Sequence, residues 1–245
     1  MVASLPWDVV NDRLYFRQLL SGRDFAVADP MARQMVNHVY LVGDRATGEA
    51  VIVDPAYGVA DLLARLEADG MRPVGVLASH YHADHLGGDI MGHRLEGVTE
   101  LLDIVDVPVH VQRAEVEWVS KSTGLPASQL TAHEGGDELL VGEQVVTLLH
   151  TPGHTPGSQC FLVADRLVSG DTLFLDGCGR TDLPGADPSL MWDSLQRLAA
   201  LPDDVVVYPG HRYSPAGSGT IAAIREANYV YRPETREQWL AAFGG

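Results

Sequence analysis

Basic residues are scarce in this chain: Lys and Arg total 17 against 33 Asp and Glu, a formal net charge of -16. Such an acidic surface repels phosphate backbones and lacks the basic footprint of a nucleic-acid binder. Cysteine is scarcer still. Cys160 and Cys178 are too few for a disulfide framework, and the cytosol would keep both reduced. Cys160, inside the strand-like run SQCFLVA, reads as a small buried apolar residue, and Cys178 is assigned no function. No apolar run is long enough to cross a bilayer, and the opening segment MVASLPWDVV has neither the basic n-region nor the apolar h-region of a secretory signal. A cytoplasmic protein is expected. Also missing are a G-x-S-x-G nucleophile motif, Rossmann and P-loop glycine signatures, and any internal repeat.

What is present is an alternation of strand and helix patterns in a chain of 245 residues that is 46% hydrophobic, enough to bury one sizeable α/β core. HVYLVG (38–43) and EAVIVDP (49–55) read as strands around the turn DRATG. DLLARLEADG has helical apolar spacing, with Gly70 as its stop. PVGVLA (73–78) reads as a buried strand, residues 86–106 as a loop and helix that covers substrate or simply packs, PVHV as a short strand, and AEVEWVSKSTG as a helix ended by Gly124. Strands follow at about 144–150, 159–164, 166–169 and 204–208, with helices near 188–200 and 219–230.

The densest chemistry lies in SHYHADHLGG, where His80, His82, Asp84 and His85 put four metal-binding side chains into six positions. Imidazole and carboxylate are donors suited to zinc, iron or manganese, whereas magnesium or calcium would want mainly oxygens. In an extended run, side chains two apart point the same way, so His80 and His82 can chelate one ion. Asp84 and His85, beyond a bend, face a second position. Further candidates follow apolar strand-like runs: His154 in TPGHTPGS, Asp171 in SGDTLF and His211 in YPGH. Loops at strand ends are where a rigid sheet carries function, so these residues are expected to converge. His38, His93, His110, His133 and His150 fit no ligand motif and read as structural or surface groups.

These motifs together resemble the metallo-β-lactamase superfamily, over roughly residues 35–230. The resemblance implies one domain, residues 1–245, with a four-layered αβ/βα sandwich of two mixed sheets flanked by helices and a metal site between the sheet edges. It implies that His80, His82 and His154 hold one ion, that Asp84, His85 and His211 hold a second, and that Asp171 bridges them. Asp84 would also orient the nucleophile. β-Lactamases of the superfamily characteristically carry cysteine at the place of Asp171, which argues against antibiotic hydrolysis. The segment GDTLFLDGCGRTDLPGAD is closer to glyoxalase II and its single-domain relatives, and to the persulfide dioxygenases.

The leading expectation is hydrolysis of a thioester or ester by a metal-bound hydroxide, with two divalent ions, zinc first and iron or manganese as alternatives. The runner-up is a mononuclear Fe(II) dioxygenase acting on glutathione persulfide or another small persulfide, with His80, His154 and Asp171 as a facial triad. A metal-holding protein without turnover is a third reading, against which no ligand position is degraded. The expected partner is a small thioester or thiol-derived molecule, with no nucleic acid and no membrane, and with room for a homodimer. Glyoxalase II adds a helical domain that helps bind glutathione, but only 34 residues follow His211 here. Arg180 could pair with Asp182 to fix its loop, or its guanidinium could orient an anionic substrate or support a metal ligand from behind. Tyr213 could offer its hydroxyl to substrate or pack in the interior.

Overall fold

A computed structural model of the chain describes residues 13–90 and 92–244; the segment MVASLPWDVV lies outside the described residues. Two six-stranded mixed sheets form its centre. The first comprises β1 (Leu14–Leu20), β2 (His38–Asp44), β3 (Glu49–Val53) and β4 (Arg72–Leu77), continued by β7 (Val109–Gln112) and β8 (Leu130–His133). Between β4 and β7 lies a small hairpin of β5 (Gly88–Ile90) and β6 (His93–Leu95). The second sheet runs in the spatial order β14 (Gly219–Thr220), β13 (Val206–Pro209), β12 (Arg166–Gly170), β11 (Gln159–Val163), β10 (Gln144–His150) and β9 (Glu138–Val141). In the first sheet the pairs β3–β4, β4–β7 and β7–β8 are parallel and β1–β2 and β2–β3 antiparallel; in the second, the parallel pair β12–β13 has antiparallel pairs on both sides.

The central strands are apolar on both faces because both faces are covered. Along β2, Val39 and Leu41 point to the outer core while Tyr40 and Val42 point between the sheets; along β3, Ala50 and Ile52 alternate with Val51 and Val53 in the same way. Phe161 and Val163 of β11 and Val146 and Leu148 of β10 meet that inner layer from the second sheet. Outside the first sheet pack α2 (Val59–Ala68), α4 (Val98–Leu102) and α5 (Val116–Thr123), through Leu62, Leu66, Leu101 and Val119. α1 (Pro30–Met35) and the single turn α3 (Ala83–Leu86) complete that half. Outside the second sheet pack α6 (Pro188–Ala199), α7 (Ile221–Ala227) and α8 (Arg236–Phe243), through Met191, Leu195, Ile224 and Trp239. The layers are therefore helix, sheet, sheet, helix. Among the described residues no helix is long and apolar enough to cross a membrane.

The strand at 144–150 has the expected bounds, and Gly124 ends its helix in the left-handed conformation with φ +81°. Residues 86–106 differ from the expected loop and helix. The chain doubles back as β5–β6 before α4, with positive φ at Gly87, Gly88 and Gly92, and Leu86, Leu95, Val98 and Leu101 are buried in the core. Glycines able to adopt left-handed backbone make that tight reversal. The segment expected as a helix at 114–124 opens with a 3-10 turn at Arg113–Glu115, and the one at 219–230 is shortened by β14 and a second 3-10 turn at Tyr229–Tyr231.

Candidate metal centre

The candidate ligands all lie where strands end. β4 delivers His80, α3 carries Asp84 and His85, and the loops after β10, β12 and β13 carry His154, Asp171 and His211. Two seams bring the halves together. Asn37 and His211 form an isolated antiparallel bridge, flanked by His38 N–H donating to Gly210 O (2.7 Å) and Arg212 N–H donating to Val36 O (2.9 Å). Gln159 N–H donates to Ser79 O (2.9 Å) beside the HxHxDH loop. Close approach of backbone requires glycine at two points. A Cβ on Gly210 would lie 2.4 Å from Asp171 Oδ1, and one on Gly179 would lie 2.1 Å from Asp171 O.

The seven predicted residues form two adjoining clusters. His80, His82 and His154 gather ligand atoms within 4.8 Å of one another, with His82 Nδ1 3.0 Å from His154 Nε2. Asp84, His85 and His211 form a triangle with sides of 3.2 Å (His85 Nε2 to His211 Nε2), 3.3 Å (His211 Nε2 to Asp84 Oδ2) and 3.6 Å (His85 Nε2 to Asp84 Oδ2). The centre of such a triangle is about 2 Å from each corner, the length of a Zn–N or Zn–O bond. Asp171 stands between the clusters, 3.4 Å from His85 Nε2, 3.3 Å from His211 Nε2 and 3.7 Å from His154 Nε2. His80 Nε2 and Asp171 Oδ1 are buried and have no hydrogen-bond partner in the protein. Buried polar atoms are normally satisfied, and an acceptor pair facing a nest of imidazoles suits a cation.

Four of the five imidazoles are oriented by their other nitrogen. His154 Nδ1 donates to Arg180 O (2.8 Å) and His211 Nδ1 donates to Met35 O (2.8 Å). His85 Nδ1 donates to Asp54 Oδ2 (2.9 Å), and Ser79 Oγ, which donates to the same carboxylate (2.6 Å), lies 2.9 Å from His80 Nδ1. These bonds turn Nε2 of all four rings toward the centre, where His80 Nε2 is without a hydrogen-bond partner. Asp54, His80 and His85 also approach one another within 4.8 Å, but Asp54 spends its oxygens on Ser79 and His85, which suits a support better than a ligand.

The two clusters differ in charge. Burial pushes the His80 imidazole well below its ordinary range, that of His82 down to about 4 and that of His154 down as well, which favours the neutral form that binds metal. In the other cluster burial would lower His85 and His211, but the carboxylates Asp171 and Asp84 outweigh it and raise both. Burial would likewise raise the Asp84 and Asp171 carboxyls, yet the charges of His85 and His211 hold both well below the usual carboxylate range.

Around the mouth, Tyr213 lies flat on His211 (centroids 4.8 Å, 5° between planes) with Phe174 edge-on to it, and is 58% exposed, so the interior packing role is excluded. Across from His82, Tyr81 stacks on Trp118 at 5.0 Å and donates from its hydroxyl to Pro184 O (3.0 Å). Arg180 turns its side chain outward onto Asp182 (2.7 Å); its contact with the centre is the carbonyl that holds His154. Cys160 is buried as expected, and burial pushes the half-buried Cys178 thiol up to about 12, far from a reactive thiolate. Among the remaining histidines, His38 Nδ1 bonds Pro209 O, His110 pairs with His133, His150 Nε2 bonds Pro156 O, and His93 is exposed.

Sequence reasoning missed four residues. Asp54 orients His85 directly and His80 through Ser79; an acidic residue ending the buried run VIV was its only signal. Glu115 is buried and accepts from the N–H of Tyr81 (2.8 Å) and of Gly157 (2.6 Å), tying the HxHxDH loop to the His154 loop. Asn37 donates to Asp84 and Tyr57 donates to Asn37, and neither left a signal.

A profile of the metallo-beta-lactamase superfamily matches residues 33–211, and the chain belongs to that family. It is 35% identical over 203 residues to a hydroxyacylglutathione hydrolase of Rhodopseudomonas palustris, covering 82% of this chain and 72% of that protein. The crystal structure of ETHE1 from Myxococcus xanthus superposes with a TM-score of 0.75 at 30% identity, over 94% of this chain and 90% of the other. A protein called TTHA1623, solved in a di-iron-bound form, superposes with a TM-score of 0.63 at 30% identity, over 80% of this chain and 95% of the other.

Proposed function

We propose that this chain is a two-metal hydrolase that cleaves a thioester, or an ester, of a small molecule. The observation that carries this reading is the Asp84–His85–His211 cluster. It is buried, has metal-bond dimensions, and is braced by Asp54, Asn37 and the Met35 carbonyl. On the dioxygenase reading, with one iron on His80, His154 and Asp171, the three residues of this cluster would stand beside the iron as supports; on the two-metal reading they are ligands, a task that accounts for the cost of burying charged groups. The hydroxyacylglutathione hydrolase relative supports a thioester substrate, and the di-iron form of TTHA1623 supports two ions in such a site.

His80, His82 and His154 would hold one ion and Asp84, His85 and His211 the other, with Asp171 shared. Zinc suits the donor set best, with iron or manganese as alternatives. Two bound ions supply an acidified water and polarise the acyl oxygen. The chain itself supplies orientation. Asp84 Oδ2 already accepts from Asn37, and the carboxylate can accept from the attacking water as well, aligning it with the acyl carbon. Water oxygen bonds to that carbon, the carbon–sulfur bond breaks, one of the water's protons goes to the departing sulfur to give the thiol, and the other stays on the carboxylic acid or passes to solvent. Tyr213 and Phe174 form one apolar wall for the substrate, with the Tyr213 hydroxyl free to donate to it. Arg180, paired with Asp182, is a structural residue on this reading.

The chain covers 72% of the length of the hydroxyacylglutathione hydrolase it matches, and the substrate class is the thioester of a small thiol. The dioxygenase reading keeps the support of the GCGRTD element. An anaerobic assay separates the two. Acid release from a panel of small-thiol thioesters without oxygen is the expected result; no turnover of thioesters, with oxygen uptake on a glutathione persulfide, overturns it.

A further inference from the structure

Asn37 sits at the seam between the two sheets, and its environment leaves it little freedom. Its backbone is bridged to His211, and the hydrogen bonds on either side (His38 N–H to Gly210 O, Arg212 N–H to Val36 O) hold it in register with that candidate ligand. The side chain is buried, 1% exposed. Its amide nitrogen donates to Asp84 Oδ2 at 3.1 Å and lies 3.3 Å from His85 Nε2 and 3.5 Å from His211 Nε2, facing every corner of one cluster.

An amide can point either way round, and here the neighbours decide. An ionised carboxylate only accepts, so the NH₂ must face Asp84 and the oxygen must face Tyr57, whose hydroxyl donates to it at 3.1 Å. Tyr57 holds that position from left-handed backbone, φ +70°, rare for a bulky residue and kept only where the surroundings over-determine it. Asp54, three residues earlier in the same loop, is also left-handed at φ +55° and reaches His85 Nδ1. One short loop thus braces the same cluster twice.

We infer that Asn37, its amide fixed by Tyr57, is a positioning residue that sets the affinity of the Asp84–His85–His211 position for its ion and leaves the His80–His82–His154 position untouched. By donating to one carboxylate oxygen, Asn37 stops Asp84 rotating and leaves that group's other lone pairs for the ion. The inference rests on the two-metal reading.

The test is stepwise removal of zinc from the zinc-loaded protein by a chromophoric chelator, with cobalt absorption spectra assigning each step to a position. In the wild type two ions are expected to leave in two steps. Asn37→Ala should weaken the Asp84–His85–His211 step by about 10–100-fold and leave the other step unchanged. Tyr57→Phe, which removes only the hydroxyl that fixes the amide, should shift the same step by a smaller factor. Two ions in the wild type with unchanged steps in both variants, or with both steps shifted equally, would overturn the inference alone. One ion in the wild type would overturn the two-metal reading, and the inference with it. Should Asn37→Ala fail to fold, Tyr57→Phe decides the matter.

Discussion

The two clusters of the centre are built from opposite kinds of support. His80, His82 and His154 are imidazoles carried by loops and pushed by burial toward their neutral form, and Glu115 ties those loops together through backbone N–H groups. Asp84, His85 and His211 mix a carboxylate with raised imidazoles and are gripped by side chains, Asp54 and Asn37. The first cluster needs loop order; the second needs charge balance and exact side-chain placement. A one-ion enzyme would leave the second cluster as a support beside its iron, so the two-metal proposal rests on the buried, side-chain-braced geometry of that cluster.

Several substitutions sharpen that contrast. Asp171→Asn removes charge from the residue that touches both clusters, and should lower turnover by more than about 100-fold and weaken both ions, as read by steady-state kinetics and metal content. Asp54→Asn should cost about 10–100-fold in metal affinity, acting through His85 directly and through Ser79 on His80; an effect on neither position would show that the grip on His85 is only structural.

Glu115→Ala leaves two buried N–H groups unpaired, a loss of about 1–3 kcal/mol for each in chemical denaturation, and should weaken the His80–His82–His154 position before the other. The same residue gives a pH signature. Burial raises its carboxyl from 4.5 to about 7 against the hydrogen bonds that favour the charged form. The folded state therefore binds more protons than the unfolded one between those values, so this group's contribution to stability falls as pH rises through that window and is flat above it. Glu115→Gln should flatten that slope in denaturation measured from pH 4 to 8. Smallest of all, Arg180→Ala should change turnover by less than about 2-fold, because an exposed ion pair contributes little and the carbonyl that holds His154 remains; a large rise in KM would instead assign its guanidinium to the substrate.

How much of this was legible in the sequence depends on range. The strands β2, β3, β10 and β11 could be read because they are continuous apolar runs, the mark of strands covered on both faces. The edge strands β1, β8 and β9 were not read. β1 interrupts its apolar residues with Arg17 and Gln18, and β9 is four residues long with Leu140 exposed. The seven candidate ligands stood out because HxHxDH is dense and the rest follow strand-like runs, and the fold brings all seven together. Asn37 and Glu115 were invisible for a physical reason. Asn37 meets His211 from 174 residues away and Glu115 meets Gly157 across 42, so neither has a local pattern that marks it. Asp54 was half legible, as a carboxylate where a buried strand ends.

Occupation of the Asp84–His85–His211 cluster by an ion is tested most directly by metal content. Protein purified without added metal, analysed for each transition metal per chain, should carry close to two ions, of zinc, manganese, iron or a mixture. Close to one iron per chain, unchanged in an Asp84→Ala variant and accompanied by oxygen uptake on a small persulfide, would contradict it.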